Sequence, residues 1–201
     1  LHLSLRRQRQ MCIRDSHPVD GSGLFVCTGN TCRSAMAEGL LRARLAERGR
    51  EVPVVASAGT EIRDQADRGA TSAAVEALAD RGIDLASHVT TPLSVETVDK
   101  ADLLVAMTRR NESAVDLLQS VARSRTFLAG EVVRLGGQVG PRGDRSMADW
   151  VRALDGARGG HFTAGRLADE VGDPWGGPDE AYRRCADHLD GICTALARLM
   201  T

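Results

Sequence analysis

Cys27-Thr28-Gly29-Asn30-Thr31-Cys32-Arg33-Ser34 decides how this chain is read. The apolar run Leu24-Phe25-Val26 precedes it, and a long stretch of helical spacing follows. A cysteine at a strand end, a five-residue turn, then arginine and serine at a helix start form a seat for a tetrahedral anion. Backbone N–H groups of such a turn, and of the first helical residues, point inward without partners of their own. A phosphoryl dianion can satisfy them. Gly29 and Asn30 are the residue types that best tolerate left-handed backbone angles. Thiolate is the nucleophilic form of cysteine, and the same positive surroundings favour it at Cys27. Arg33 can grip two phosphoryl oxygens at once, and Ser34 can cap the helix while donating to a thiolate. Taken alone, the Cys-x5-Arg spacing also suits a cysteine that is simply a small buried side chain.

Outward from this loop, short apolar runs alternate with longer helical patterns. Strands are expected at 24–27, 52–56, 103–106 and 126–128. Helices are expected at 34–49, where Met36, Ala37, Leu40, Leu41 and Leu45 share a face, and at 71–79, 111–121 and 147–154. Trp150 falls on the packed face of the last of these. The closing helix, 178–200, carries Ala181, Cys185, His188, Leu189, Ile192, Leu196 and Leu199 along one stripe. Ser57-Ala58-Gly59-Thr60 is expected to turn, and 136–145 and 157–165 to be loops. This order predicts an α/β three-layer sandwich, a central four-stranded parallel sheet with helices on both faces. Ligands of such sheets sit beyond the carboxyl ends of the strands, where the Cys27 loop falls.

Length and composition agree with one domain: 201 residues, a formal net charge of -1 and 26% charged residues. That balance implies neither a nucleic-acid footprint nor a basic membrane patch, and no nucleic acid or membrane is expected as a partner. No apolar run reaches membrane-spanning length. Aromatics are only 3% of the chain, so Leu, Val, Ala and Ile must build the core. Five cysteines without a small-secreted-domain pattern point to a reducing, cytoplasmic setting. Residues 1–22, arginine-rich and containing Cys12 and His17, read as a disordered or spurious leader; the single folded domain is expected at 23–201.

A thiolate that attacks a phosphate ester needs a proton donor for the leaving group. The candidate is Asp173, in Val171-Gly172-Asp173-Pro174-Trp175-Gly176-Gly177. Proline pushes the residue before it to an extended backbone, and the glycines suggest a specially shaped loop. The same composition is also that of an ordinary turn, and Trp175 suits core packing as well as a pocket wall.

These two loops together resemble the low-molecular-weight protein tyrosine phosphatase family, and within it the bacterial protein-arginine phosphatase branch. The resemblance spans about 24–200. The family's nucleophile loop matches Cys27 through Ser34, and its general-acid loop matches Asp173-Pro174. Its serine-bearing turn resembles Ser57-Ala58-Gly59-Thr60, its buried histidine resembles His88, and its strand-and-asparagine segment resembles Asp102 to Met107, reaching Asn111. The resemblance implies a cysteine-dependent phosphatase acting on phosphorylated proteins or peptides through a phosphocysteine, without metal or cofactor. It implies Cys27 as nucleophile, Arg33 as phosphate clamp, Asp173 as general acid and then base. Thr28, Gly29, Asn30, Thr31, Cys32 and Ser34 form the binding loop, with Ser57 and His88 supporting it. Cys32 lies close enough in sequence to protect Cys27 through a disulfide.

Thr31 stands where tyrosine-specific members carry an aliphatic residue, and Trp175-Gly176-Gly177 replaces the tyrosines that often follow their Asp-Pro. Both resemble the arginine branch, and make Thr31 and Trp175 the specificity candidates between phosphoarginine and phosphotyrosine. Val89-Thr90-Thr91 replaces an arginine usual after the histidine, and the segment 136–165 looks longer than in compact members. Two alternatives stay open: an arsenate reductase of the same fold, for which Cys185 and Cys193 would have to relay a disulfide, and a non-catalytic phosphate-binding module.

Overall fold

The computed structural model describes residues 21–49, 53–62, 68–159 and 166–201. The expected leader therefore lies outside the described residues up to position 20, as do position 52 and the end of the 157–165 segment. The order of elements is β1 (Ser22–Cys27), α1 (Arg33–Ala46), β2 (Val54–Gly59), α2 (Ser72–Ala79), α3 (Val95–Asp99), β3 (Leu103–Ala106), α4 (Arg109–Leu118), β4 (Thr126–Leu128), α5 (Ala129–Val139), α6 (Met147–Arg158) and α7 (Asp179–Met200). The strands form one parallel sheet in the order β2-β1-β3-β4. Among the described residues, no helix is long and apolar enough to cross a membrane.

Side chains alternate across the sheet, as the two-residue period of a strand requires. Phe25 and Cys27 of β1, with Leu103 and Val105 of β3, face a large core packed by α1, α2, α5, α6 and α7. Leu24, Val26 and Leu104 face a smaller one, closed by Val98 of α3, Val115 of α4 and Ala122. The three-layer sandwich is thus as expected, with the bulk of the apolar burial on one face. Met36, Ala37, Leu40, Leu41 and Leu45 are all buried, and so is Trp150, whose Nε1 donates to the Gly140 carbonyl at 3.0 Å.

Several expectations need correction. The stretch 136–145 is not all loop: α5 runs to Val139 before Gly140 ends it at φ 82°. Its glycines disguised the helix, and one of them has a packing reason, since a Cβ on Gly136 would meet Leu199 Cδ1 at 2.5 Å. The stretch 57–60 is not a turn either. β2 continues to Gly59 because it pairs with β1 as far as Cys27. Gly59 is needed there: a Cβ would lie 2.9 Å from the Thr28 carbonyl oxygen. On α7 the packed stripe is rotated from the one expected. His188 is exposed, and Tyr182, Ala186 and Cys193 are buried.

Candidate functional site

Cys27 ends β1 at the carboxyl edge of the sheet, and α1 begins at Arg33, so the residues between them must reverse the chain in one tight loop. Asn30 makes that possible. It is the only non-glycine among the described residues at positive φ, 53°, and it is fully buried. Holding such an angle in a residue with a Cβ costs about 1–2 kcal/mol, and hydrogen bonds offset it. Asn30 Nδ2 donates to Ser34 Oγ and to Ser57 Oγ, both at 2.8 Å, while Oδ1 accepts from Thr91 N at 2.8 Å. The Asn30 carbonyl is 2.7 Å from His88 Nε2. Both amide protons and the amide oxygen are used, which fixes the side-chain orientation.

This network reaches the thiol. Cys27 Sγ lies 3.0 Å from Ser34 Oγ and accepts from Asn30 N at 3.2 Å. Because Ser34 Oγ already accepts from Asn30, its own proton is free to point at sulfur. Behind Ser57 stands Glu38, which accepts from Ser57 Oγ at 2.5 Å and pairs with Arg42 at 2.8 Å. Sequence reasoning missed Glu38; its position one turn into α1, on the side facing β2, was the available signal. The His88 ring is half-buried rather than buried, contrary to expectation.

Arg33 is buried and runs back under the loop. Its Nη1 donates to the Val171 carbonyl at 3.3 Å and its Nη2 to Asp173 Oδ2 at 2.5 Å, while its buried Nε has no hydrogen-bond partner. Two loops about 140 residues apart in sequence are joined by that one side chain. Asp173 remains 46% exposed and Trp175 62%. They share one cavity of about 280 Å³ with Cys27, Thr31, Arg33 and Glu61. The first turn of α1 carries no acidic side chain, which leaves its positive end unneutralised at the loop. Asn111 is buried and donates to Thr28 Oγ1 at 3.4 Å, a long contact from α4 onto the loop.

Cys32 also lines the cavity, 3.5 Å from Thr71 Oγ1 and 3.6 Å from Thr31 Oγ1, and burial pushes its thiol up. Cys27 and Cys32 are both free thiols. Cys185 and Cys193 are buried on α7, and burial raises both, Cys185 to about 12. Thiols so reluctant to ionise are poor members of a disulfide relay. Among the described residues, no three His, Cys, Asp or Glu side chains gather as metal ligands.

Comparison with known proteins places the chain among phosphatases. The model of the low molecular weight phosphotyrosine protein phosphatase family matches residues 23–134. A protein-arginine-phosphatase of Bacillus subtilis is 33% identical over 87% of this chain and 93% of its own length. The low molecular weight protein-tyrosine-phosphatase Etp of Escherichia coli is 32% identical over 54% of this chain and 68% of its own. The crystal structure of a YwlE mutant from Bacillus subtilis superposes with a TM-score of 0.68 at 30% identity, covering 89% of this chain and 97% of that one. With a matching family model over more than half its length, and a cysteine, an arginine and an aspartate meeting at one cavity, the chain belongs to the low-molecular-weight phosphotyrosine protein phosphatase family and is a cysteine-based protein phosphatase.

Proposed function

We propose that this phosphatase acts on phosphoarginine in proteins in preference to phosphotyrosine, with Cys27, Arg33 and Asp173 performing the chemistry. The observation that carries the chemistry is the meeting of these three side chains at one cavity. The substrate preference is supported by Thr31, whose hydroxyl-bearing side chain lines that cavity, and by likeness to an arginine phosphatase over 87% of the chain.

The phosphoryl group is held by the loop N–H groups, the α1 N-terminus and the Arg33 guanidinium, whose unpartnered Nε is a further donor. Cys27 sulfur attacks phosphorus in line, and the phosphorus–nitrogen bond to the guanidinium breaks. Asp173, in its protonated form, gives its proton to the departing nitrogen. A phosphoryl dianion competes for Arg33 and so releases Asp173 for this task. In the second step Asp173 takes a proton from water as the water oxygen attacks the phosphocysteine; the phosphorus–sulfur bond breaks, inorganic phosphate is released, and the Cys27 thiolate and protonated Asp173 are restored. Ser34 and Asn30 N steady the sulfur as it leaves phosphorus. Positive charge from amides and guanidinium, fixed before the reaction begins, is the largest contribution such a site makes.

Initial rates on matched phosphoarginine and phosphotyrosine peptides test this, with Cys27→Ser as the inactive control. Phosphoarginine is expected to be faster, and Thr31→Ile to narrow or reverse the ratio. Equal rates, unmoved by Thr31→Ile, would remove the substrate preference.

A further inference from the structure

Two acidic side chains line the cavity, and the chemistry above uses only Asp173. The other is Glu61, just past the end of β2. Its backbone N–H donates to the Thr28 carbonyl at 2.9 Å, and the neighbouring Thr60 N–H donates to the Cys27 carbonyl at 2.9 Å. Glu61 is therefore tied by its backbone to the nucleophile loop. Its side chain already holds a guanidinium: Arg110 Nη2, from the first turn of α4, donates to Oε1 at 2.5 Å. Arg110 is 76% exposed and Glu61 46%. Ion pairs this exposed contribute little to stability, so one guanidinium can replace another on the carboxylate at small cost. A carboxylate accepts several hydrogen bonds, so the two can also share it.

Charge decides what such a carboxylate is for. Beside a seat for a phosphoryl dianion it repels the phosphoryl group and gives nothing to the uncharged ring of phosphotyrosine. Phosphoarginine differs, because its dianion is bonded directly to a delocalised cation. Trp175, on the same cavity, supplies the indole ring best suited to such a cation.

We propose that Glu61 is the residue that recognises the substrate guanidinium, accepting its N–H groups while the loop and Arg33 hold the phosphoryl oxygens. This rests on the substrate reading above and assigns the group responsible for it. The contact exists before and during bond breaking, so its loss appears in KM rather than kcat.

Glu61→Gln keeps the size of the side chain and removes its charge. On a phosphoarginine peptide it is expected to raise KM about tenfold, the loss of one charge-assisted hydrogen bond. The kcat/KM ratio of phosphoarginine to phosphotyrosine peptide falls by the same factor. Arg110→Gln, which releases the carboxylate, lowers the phosphoarginine KM; a rise would count against Glu61 binding the substrate cation. If the parent enzyme cleaves phosphoarginine and Glu61→Gln leaves the ratio unmoved, Glu61 is not the recognition residue, though the substrate reading stands. If the parent cleaves phosphotyrosine but not phosphoarginine, the substrate reading falls and this inference falls with it.

Discussion

The loop that starts at Cys27 and the loop that carries Asp173 face one cavity but are built by opposite means. From Cys27 to Ser34 the chain is buried and cross-tied: Asn30 alone bonds to Ser34, Ser57, Thr91 and His88. From Gly172 to Gly177 every residue but Pro174 is exposed, and the segment is held at few points. Val171 N donates to the Met107 carbonyl at 2.8 Å, Gly177 N to the Pro174 carbonyl at 2.9 Å, and Arg33 grips Asp173. Binding an anion demands donors already in place, which needs rigidity. A proton donor must meet solvent, exchange its proton and adjust to a leaving group, and a lightly tied segment suits that.

If this division is correct, Asp173→Asn lowers kcat by about 10²–10⁴-fold, while affinity for inorganic phosphate, measured by calorimetry, persists or rises. A large loss of phosphate affinity would mean that the acid loop also builds the cradle. Next in size is a behaviour under oxidation. Peroxide converts Cys27 to a sulfenic acid; the Cys32 thiol then attacks that sulfur, a disulfide forms and water leaves. Thiol should restore the parent enzyme, whereas Cys32→Ser should stay inactive; failure of the parent to recover would sink the idea.

Asn30→Ala removes three side-chain hydrogen bonds and leaves a Cβ residue at positive φ. Unfolding in urea should show a loss of about 3–5 kcal/mol, whereas Trp175→Ala should stay within about 0.5 kcal/mol. Comparable losses would erase the contrast between the loops.

The smallest test concerns what lies behind the nucleophile loop. Glu112, next to Asn111, is buried with Oε1 unpartnered, and burial together with Glu131 pushes its carboxyl up to about 7, against the pull of Arg158 and Arg109. Between pH 4.5 and about 7 the unfolded chain loses this proton and the native protein keeps it. Native stability therefore falls as pH rises through that window, by up to about 3 kcal/mol. Glu112→Gln should flatten the fall when denaturation midpoints are compared at the two ends; an unchanged slope would mean that the carboxyl does not titrate there.

How far the sequence could be read depended on how local the causes were. Strand β1, the loop and α1 were legible because hydrophobic spacing, Gly29-Asn30 and Arg33-Ser34 act within twenty residues of one another. β3 and β4 were found at their observed bounds for the same reason. Helix α5 was hidden because its stability comes from elsewhere: Glu131 pairs with Arg158 of α6, and Gly130 is small because Asp169 approaches it, with a would-be Cβ only 2.7 Å from Asp169 Cα. α3, a single turn held by the cap of Ser94 on Thr97 N, was too short to show a period. At the site, residue types pointed to Cys27, Arg33 and Asp173 as candidates. The Arg33–Asp173 contact, the support of Ser57 by Glu38 and the place of Glu61 at the rim exist only once β2, α4 and the acid loop are folded together.

The pair between α5 and α6 has one more consequence. β4 is the last strand on its side of the sheet, and a bare outer strand invites another chain to add itself. Arg158 reaches across that strand: its Nη2 donates to the Thr126 carbonyl at 2.5 Å, and its guanidinium lies 4.1 Å from the centre of the Phe127 ring. Helix α6 is thereby tied to the outermost strand by one buried side chain, which holds a strand carbonyl, a strand ring and, through Glu131, helix α5 together.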